Sequence, residues 1–115
     1  MAALNYSRGD VVTCAPPGES GKPRPAVVMQ SDLFNETHAS VTLCPLTSER
    51  VKTPMFRVPI SAGATNGLKK DSEAMADKLT TLRRERIGAV VGRLSDADME
   101  RIDVAVQLWL GLRPA

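Results

Sequence analysis

Ile87-Gly88-Ala89-Val90-Val91-Gly92-Arg93-Leu94-Ser95-Asp96-Ala97-Asp98-Met99-Glu100-Arg101-Ile102-Asp103-Val104-Ala105-Val106-Gln107-Leu108-Trp109-Leu110 is the stretch in which the chain changes its period. As far as Leu94 it is a β-prone run broken by two glycines, the pattern of a strand that bends or runs close to another backbone. From Ser95 the spacing is helical. Met99, Ile102, Ala105, Val106, Trp109 and Leu110 recur three and four apart and form one apolar face, while Glu100, Arg101, Asp103 and Gln107 face away. Ser95 is a capping residue, Asp96 and Asp98 suit the positive end of the helix dipole, and Gly111 is the stop signal.

Upstream of this switch the chain is punctuated into short segments. Residues 11–14, 25–30, 40–46, 56–60, 72–75 and 78–82 are each predicted as strands, with residues 87–94 as the last. Residues 15–22 contain two prolines, two glycines and no apolar periodicity, so they form an exposed loop. Residues 31–35 make a single helical turn capped by Ser31 or Asp32, and Asn66-Gly67 is a tight-turn dipeptide. Pro45 and Pro59 lack a ladder donor, which places those strand ends on an edge or a bulge. The expected architecture is mainly β with a C-terminal α-helix: one domain over residues 1–115, a small barrel of short, bent strands plus an amphipathic helix.

Composition narrows the function classes. The chain has 115 residues, 43% hydrophobic and 24% charged, which fits one folded domain rather than a disordered segment. No apolar run approaches the roughly 20 residues of a membrane span, and the first residues lack the charged start and apolar stretch of a signal peptide. A cytoplasmic protein with no membrane partner is expected. Cys14 and Cys44 are expected as free thiols in strands. With His38 the single histidine and no Cys-x-x-Cys spacing, neither a metal nor another cofactor is expected. Net charge is only +2, but it is segregated: residues 50–86 carry nine basic and four acidic side chains, and residues 96–103 carry four acids and one base.

The least ordinary local chemistry lies in Gly21-Lys22-Pro23-Arg24-Pro25-Ala26-Val27-Val28-Met29-Gln30. Each proline fixes its own φ and pushes the preceding residue toward extended geometry. Arg24 is therefore carried on a stiff backbone at the mouth of a strand entering the core. By itself such an arginine is an ordinary strand-end cation, and Thr47-Ser48 an ordinary turn.

The ordered set of motifs is similar to the MazF/PemK family of toxin endoribonucleases, of the SH3-like, CcdB/MazF fold type. Arg8-Gly9-Asp10-Val11-Val12 resembles that family's opening strand. Arg24-Pro25-Ala26-Val27-Val28-Met29-Gln30-Ser31-Asp32 resembles its second strand and exit, and Val41-Thr42-Leu43-Cys44-Pro45-Leu46-Thr47-Ser48 its third. Gly67-Leu68-Lys69-Lys70-Asp71-Ser72, Thr81-Leu82, Arg86-Ile87-Gly88, Gly92-Arg93-Leu94-Ser95 and Leu108-Trp109-Leu110-Gly111-Leu112 follow in family order. The resemblance implies a homodimer that cuts single-stranded RNA, usually messenger RNA, without a metal. It implies inhibition by a cognate antitoxin, and contact with operator DNA only as a complex with that antitoxin. Its paired catalytic residues match Arg24 and Thr47 here.

That chemistry needs charge stabilisation on phosphorus, in-line alignment and two proton transfers. Arg24 suits the first, because its planar fork gives paired hydrogen bonds to phosphate oxygens. Thr47 is able to hydrogen-bond a phosphate or the 2′-hydroxyl but is no base unaided. Glu19 and His38 have suitable proton affinity for the base. Lys22, Ser48, Lys78, Thr81, Arg83 and Arg86 complete the candidate proton-transfer and RNA contacts, with Lys69, Lys70 and Arg84 in the same basic share. Lys78 and Arg83 stand where many family members carry glutamine and aspartate. Two other functions compete: a gyrase poison similar to CcdB, using Trp109-Leu110-Gly111, and a catalytically silent module that binds an antitoxin or operator.

Overall fold

The computed structural model describes residues 5–15, 23–53 and 55–113. In chain order the elements are β1 (Asp10–Cys14), β2 (Arg24–Val28), α1 (Asp32–Asn35), β3 (Ser40–Thr47), β4 (Arg57–Ile60), β5 (Ser72–Met75), β6 (Thr80–Arg83), β7 (Ile87–Arg93) and α2 (Asp96–Trp109). All strand pairs are antiparallel, in the order β4-β5-β3-β2-β1-β7, with β6 also on β3. The mainly β class with a C-terminal helix is as the sequence predicts. Among the described residues the pairing runs from β4 to β7 without joining them, so the sheet is open rather than a closed barrel. The strand expected over 78–82 begins later, because Ala76–Lys78 forms a 3-10 turn.

β3 organises the sheet by changing partners along its length. Ser40 to Leu43 pair with β6, and Leu46 and Thr47 pair with β5. Pro45 is predicted at an edge or bulge, yet it lies inside the sheet opposite Ala26. Its missing N–H is tolerated because it falls in the gap between the last β6 pair and the first β5 pair.

Two apolar clusters fill the two sides of the sheet. One gathers Val11, Val27, Cys44, Leu46, Val58, Ile60 and Ala74 beneath Met99, Ile102 and Ala105 of α2. The other gathers Tyr6, Val12, Ala26, Val28, Val41, Leu43, Leu82 and Ile87. Each of the larger aliphatic side chains stabilises the fold by about 1.5–3 kcal/mol. Cys14 and Cys44 are buried in different clusters and not disulfide-bonded, and burial pushes the Cys44 thiol up to about 12.

α2 begins as expected, with the Ser95 hydroxyl accepting from Asp98 N at 3.1 Å. Its apolar face is buried for its first turns, after which Trp109 and Leu110 are half exposed. The Trp109 ring meets Phe56 at 5.5 Å, tilted by 49°. No described helix is long and apolar enough to cross a membrane. The glycine-marked close approach in β7 is also present: a Cβ on Gly92 would lie 2.2 Å from the carbonyl carbon of Asn66, so only glycine fits there.

Candidate catalytic site

One row of cross-strand partners builds the site. Cys14 of β1 lies opposite Arg24 of β2. β2 and β3 pair from Val28–Leu43 to Ala26–Pro45, and Arg24 and Thr47 each lie two residues beyond that last pair on these adjacent strands. Thr47 in turn pairs with Glu73 of β5, and Glu73 with Pro59 of β4. Directly opposed residues share a face, with Cβ atoms about 4.5–5.5 Å apart. Thr47 and Glu73 therefore share a face, and strand alternation from the Ala26–Pro45 pair puts Arg24 on that same side of the sheet.

Alternation along β3 explains why that line is accessible. In its first half the odd residues Val41 and Leu43 are buried in the second cluster. In its second half the even residues Cys44 and Leu46 are buried under α2, and the odd residues Pro45 and Thr47 are only partly covered. Arg24 is exposed at the strand entry. Thr47 Oγ1 accepts from Glu49 N at 3.1 Å, which leaves the hydroxyl hydrogen to donate elsewhere. Ser48 follows, exposed.

Each end of the row opens into a cavity. One, of about 210 Å³, is lined by Thr13, Cys14, Pro23, Arg86 and Ile87, so exposed Arg86 is brought beside the Arg24 strand. The other, of about 410 Å³, is lined by Arg50, Lys52, Arg57, Pro59 and Glu73. Arg57 is engaged there: its Nε and one terminal nitrogen donate to Asp77 at 2.8 and 3.3 Å. This bonding holds the Asp77 carboxyl below the usual carboxylate range and raises the Arg57 guanidinium. Among the described residues no three histidine, cysteine or carboxylate side chains come together as a metal-ligand set.

Other sequence candidates lie elsewhere. Thr81 and Arg83 of β6 oppose Thr42 and Ser40 and project from the other side of the sheet; Thr81 Oγ1 and Thr42 Oγ1 are 2.9 Å apart. Lys78 ends the 3-10 turn between β5 and β6, exposed, and Lys69 and Lys70 are exposed in the loop before β5. Arg84 lies over the Tyr6 ring at 5.4 Å and donates to the carbonyls of Asn35 and His38. His38 accepts from Ser40 N at 3.1 Å, at the opposite end of β3 from Thr47. At about 3.3 Å per residue that is roughly 23 Å of strand, so His38 is not placed to serve as the base. Glu19 and Lys22 lie outside the described residues.

Glu73 is the residue the sequence reading missed. It is a carboxylate 2% exposed, and it accepts from Val51 N at 2.9 Å and Lys52 N at 3.2 Å. The available signal was an acid inside the predicted strand Ser72-Glu73-Ala74-Met75, where burial demands a partner.

Comparison with known proteins gives a consistent picture. Residues 7–110 match the family described as PemK-like, MazF-like toxin of type II toxin-antitoxin system. The chain is 42% identical over 106 residues to the probable endoribonuclease MazF of Mycolicibacterium smegmatis, covering 91% of this chain and 96% of that protein. It is 35% identical over 99 residues to endoribonuclease MazF9 of Mycobacterium tuberculosis, covering 82% and 83%. The fold is similar to that of MazF from Deinococcus radiodurans, with TM-score 0.80 and 20% identity over 95% of this chain and 99% of that one. A mycobacterial endoribonuclease solved with its cognate antitoxin gives TM-score 0.78 and 24% identity over 96% and 99%.

Proposed function

The chain belongs to the PemK-like, MazF-like toxin family and is an endoribonuclease of a type II toxin-antitoxin system, and from that premise we propose that it cuts single-stranded RNA, above all messenger RNA, without a metal at the Arg24–Thr47 pair. The observation that supports this reading is that Arg24 and Thr47 each lie two residues beyond the Ala26–Pro45 pair on adjacent strands, Arg24 exposed and Thr47 partly covered.

In the reaction, the substrate's 2′-hydroxyl attacks the adjacent phosphorus. The P–O2′ bond forms as P–O5′ breaks, leaving a 2′,3′-cyclic phosphate and a 5′-hydroxyl. The 2′-hydroxyl proton passes to a base, and a proton is delivered to the departing O5′. Arg24 donates paired hydrogen bonds to the phosphate oxygens, where negative charge accumulates. Thr47, its oxygen already accepting from Glu49, donates to the same phosphate and holds it in line. Glu19, the acid nearest Arg24 in the chain, is the candidate of suitable proton affinity for the base. Exposed Arg86, in the adjoining cavity, extends the cationic path for the RNA backbone. Lys22, Ser48 and Lys78 remain candidate RNA contacts, whereas Thr81 and Arg83 face the other side of the sheet. With aromatics at 3%, bases are read by loops and backbone rather than by stacking platforms.

The working unit in this reading is a cytoplasmic homodimer, one toxin domain per chain. An acidic antitoxin segment folds onto the basic groove and blocks it, and operator DNA is met only in that complex. The test is incubation of purified protein with a long single-stranded RNA in EDTA, followed by mapping of fragment ends. Cuts bearing 5′-hydroxyl ends, lost in Arg24→Ala, are expected. Intact RNA at high protein concentration contradicts the proposal and redirects attention to gyrase supercoiling.

A further inference from the structure

Glu73 has no evident reason to be buried as a carboxylate unless it holds something. Its partners are the amides of Val51 and Lys52, in the segment that leaves β3 immediately after Thr47. Lys52 has φ +59, a left-handed conformation uncommon for a residue with a side chain. Such a turn persists only where surrounding contacts fix it. The same segment carries the Glu49 amide that donates to Thr47 Oγ1. Glu73 is also the direct cross-strand neighbour of Thr47.

We propose that Glu73 is a positioning residue of the RNA-cleaving site: by clamping the Val51 and Lys52 amides it fixes the turn whose Glu49 N–H occupies one lone pair of Thr47, so that the Thr47 hydroxyl is aimed as a donor toward the phosphate. The inference rests on the assignment of Arg24 and Thr47 to the cleavage site. A carboxylate suits the task because two oxygens accept from two successive amides, which a carboxamide is able to do with only one of its two terminal atoms. Glu73 touches neither substrate nor reacting atoms; it acts through the turn.

The clamp is broken from both sides in the test. Glu73→Gln keeps the shape but loses one acceptor, and Lys52→Pro removes one donor and forbids the positive φ. Lys52→Gly keeps the N–H and accepts that φ, so it controls for loss of the lysine side chain. Cleavage of a single-stranded RNA in EDTA is measured per folded molecule, with folding followed by circular dichroism and melting. Glu73→Gln and Lys52→Pro are expected to lower kcat by about 10- to 100-fold, the range for small misplacements of a reacting group, with KM within about threefold. Lys52→Gly is expected to lose far less kcat than Lys52→Pro. A structural role alone changes the folded fraction and leaves kcat per folded molecule at the wild-type value, which overturns the inference. If Glu73→Gln does not fold, the Lys52 pair decides: equal kcat in the two variants overturns it. Arg24→Ala is run alongside. Undiminished cleavage by that variant overturns the site assignment itself, whereas its inactivity beside an undamaged Glu73→Gln overturns only the role of Glu73.

Discussion

The two halves of β3 bury opposite faces, and the difference accounts for why the proposed site residue Thr47 is left accessible. In Ser40–Leu43 the odd side chains are in the core and the even ones, Ser40 and Thr42, are only partly covered. In the second half Cys44 and Leu46 go under α2, and Pro45 and Thr47 are the ones left open. Strand alternation is continuous, so the exchange arises from what covers each half, β6 and Tyr6 on one and α2 with β4 and β5 on the other. Two threonines, Thr42 and Thr47, thus sit in one strand with similar exposure and opposite surroundings. Thr42 meets Thr81, whereas Thr47 pairs with Glu73 and lies two residues beyond the last pair with β2.

The largest expected effect breaks the second half alone. Arg24→Ala should lower RNA cleavage by about 100- to 1,000-fold, as for loss of one donor to a developing oxyanion, with a melting temperature close to wild type. Assays at equal folded concentration check it. Leu43→Ala and Leu46→Ala should each cost about 2–5 kcal/mol, because each removes a buried side chain from one of the two cores. Denaturant melts showing a cost for only one of them would mean that only one half of β3 carries a core.

A finer comparison sets the threonines against each other. Thr47→Val should lower kcat by about 10- to 100-fold with little change in stability. Thr42→Val should leave kcat near wild type and cost about 1 kcal/mol through loss of the Thr81 contact. Equal kinetic losses would erase the distinction between the halves. The smallest effect concerns the support beneath β4. Asp77 has its carboxyl depressed by Arg57, so its stabilisation is present above the unfolded-state value near pH 4 and is lost as pH falls through the lower folded value. Asp77→Asn should therefore cost about 1 kcal/mol at neutral pH, and its melting curve should converge on wild type in acid.

Much of this was legible in the chain. The strands and α2 follow from periods of two and of three to four, which are local properties of residues such as Val11-Val12 and Met99–Ile102. The prolines mark Arg24 as stiffly held, but its proposed role and that of Thr47 come from the resemblance. What was not legible depends on register between distant segments. Pro45 was expected at an edge because nothing local reveals that β3 changes partners at that residue. Thr81 and Arg83 enter as candidates with the resemblance and His38 by its proton affinity, and nothing local reveals that β6 pairs with the first half of β3 or that His38 lies at the end of β3 away from Thr47. Glu73 passed unnoticed because its partners, the Val51 and Lys52 amides, are more than twenty residues away.

The central claim is that Arg24 and Thr47 act on one phosphate as a unit. A double-mutant cycle on cleavage rate tests it most directly, using Arg24→Ala, Thr47→Val and the pair together. Groups that act as a unit give strongly non-additive losses, so the double variant should be little slower than Arg24→Ala alone. Losses that multiply in full would show that the two side chains act independently, and would contradict the account.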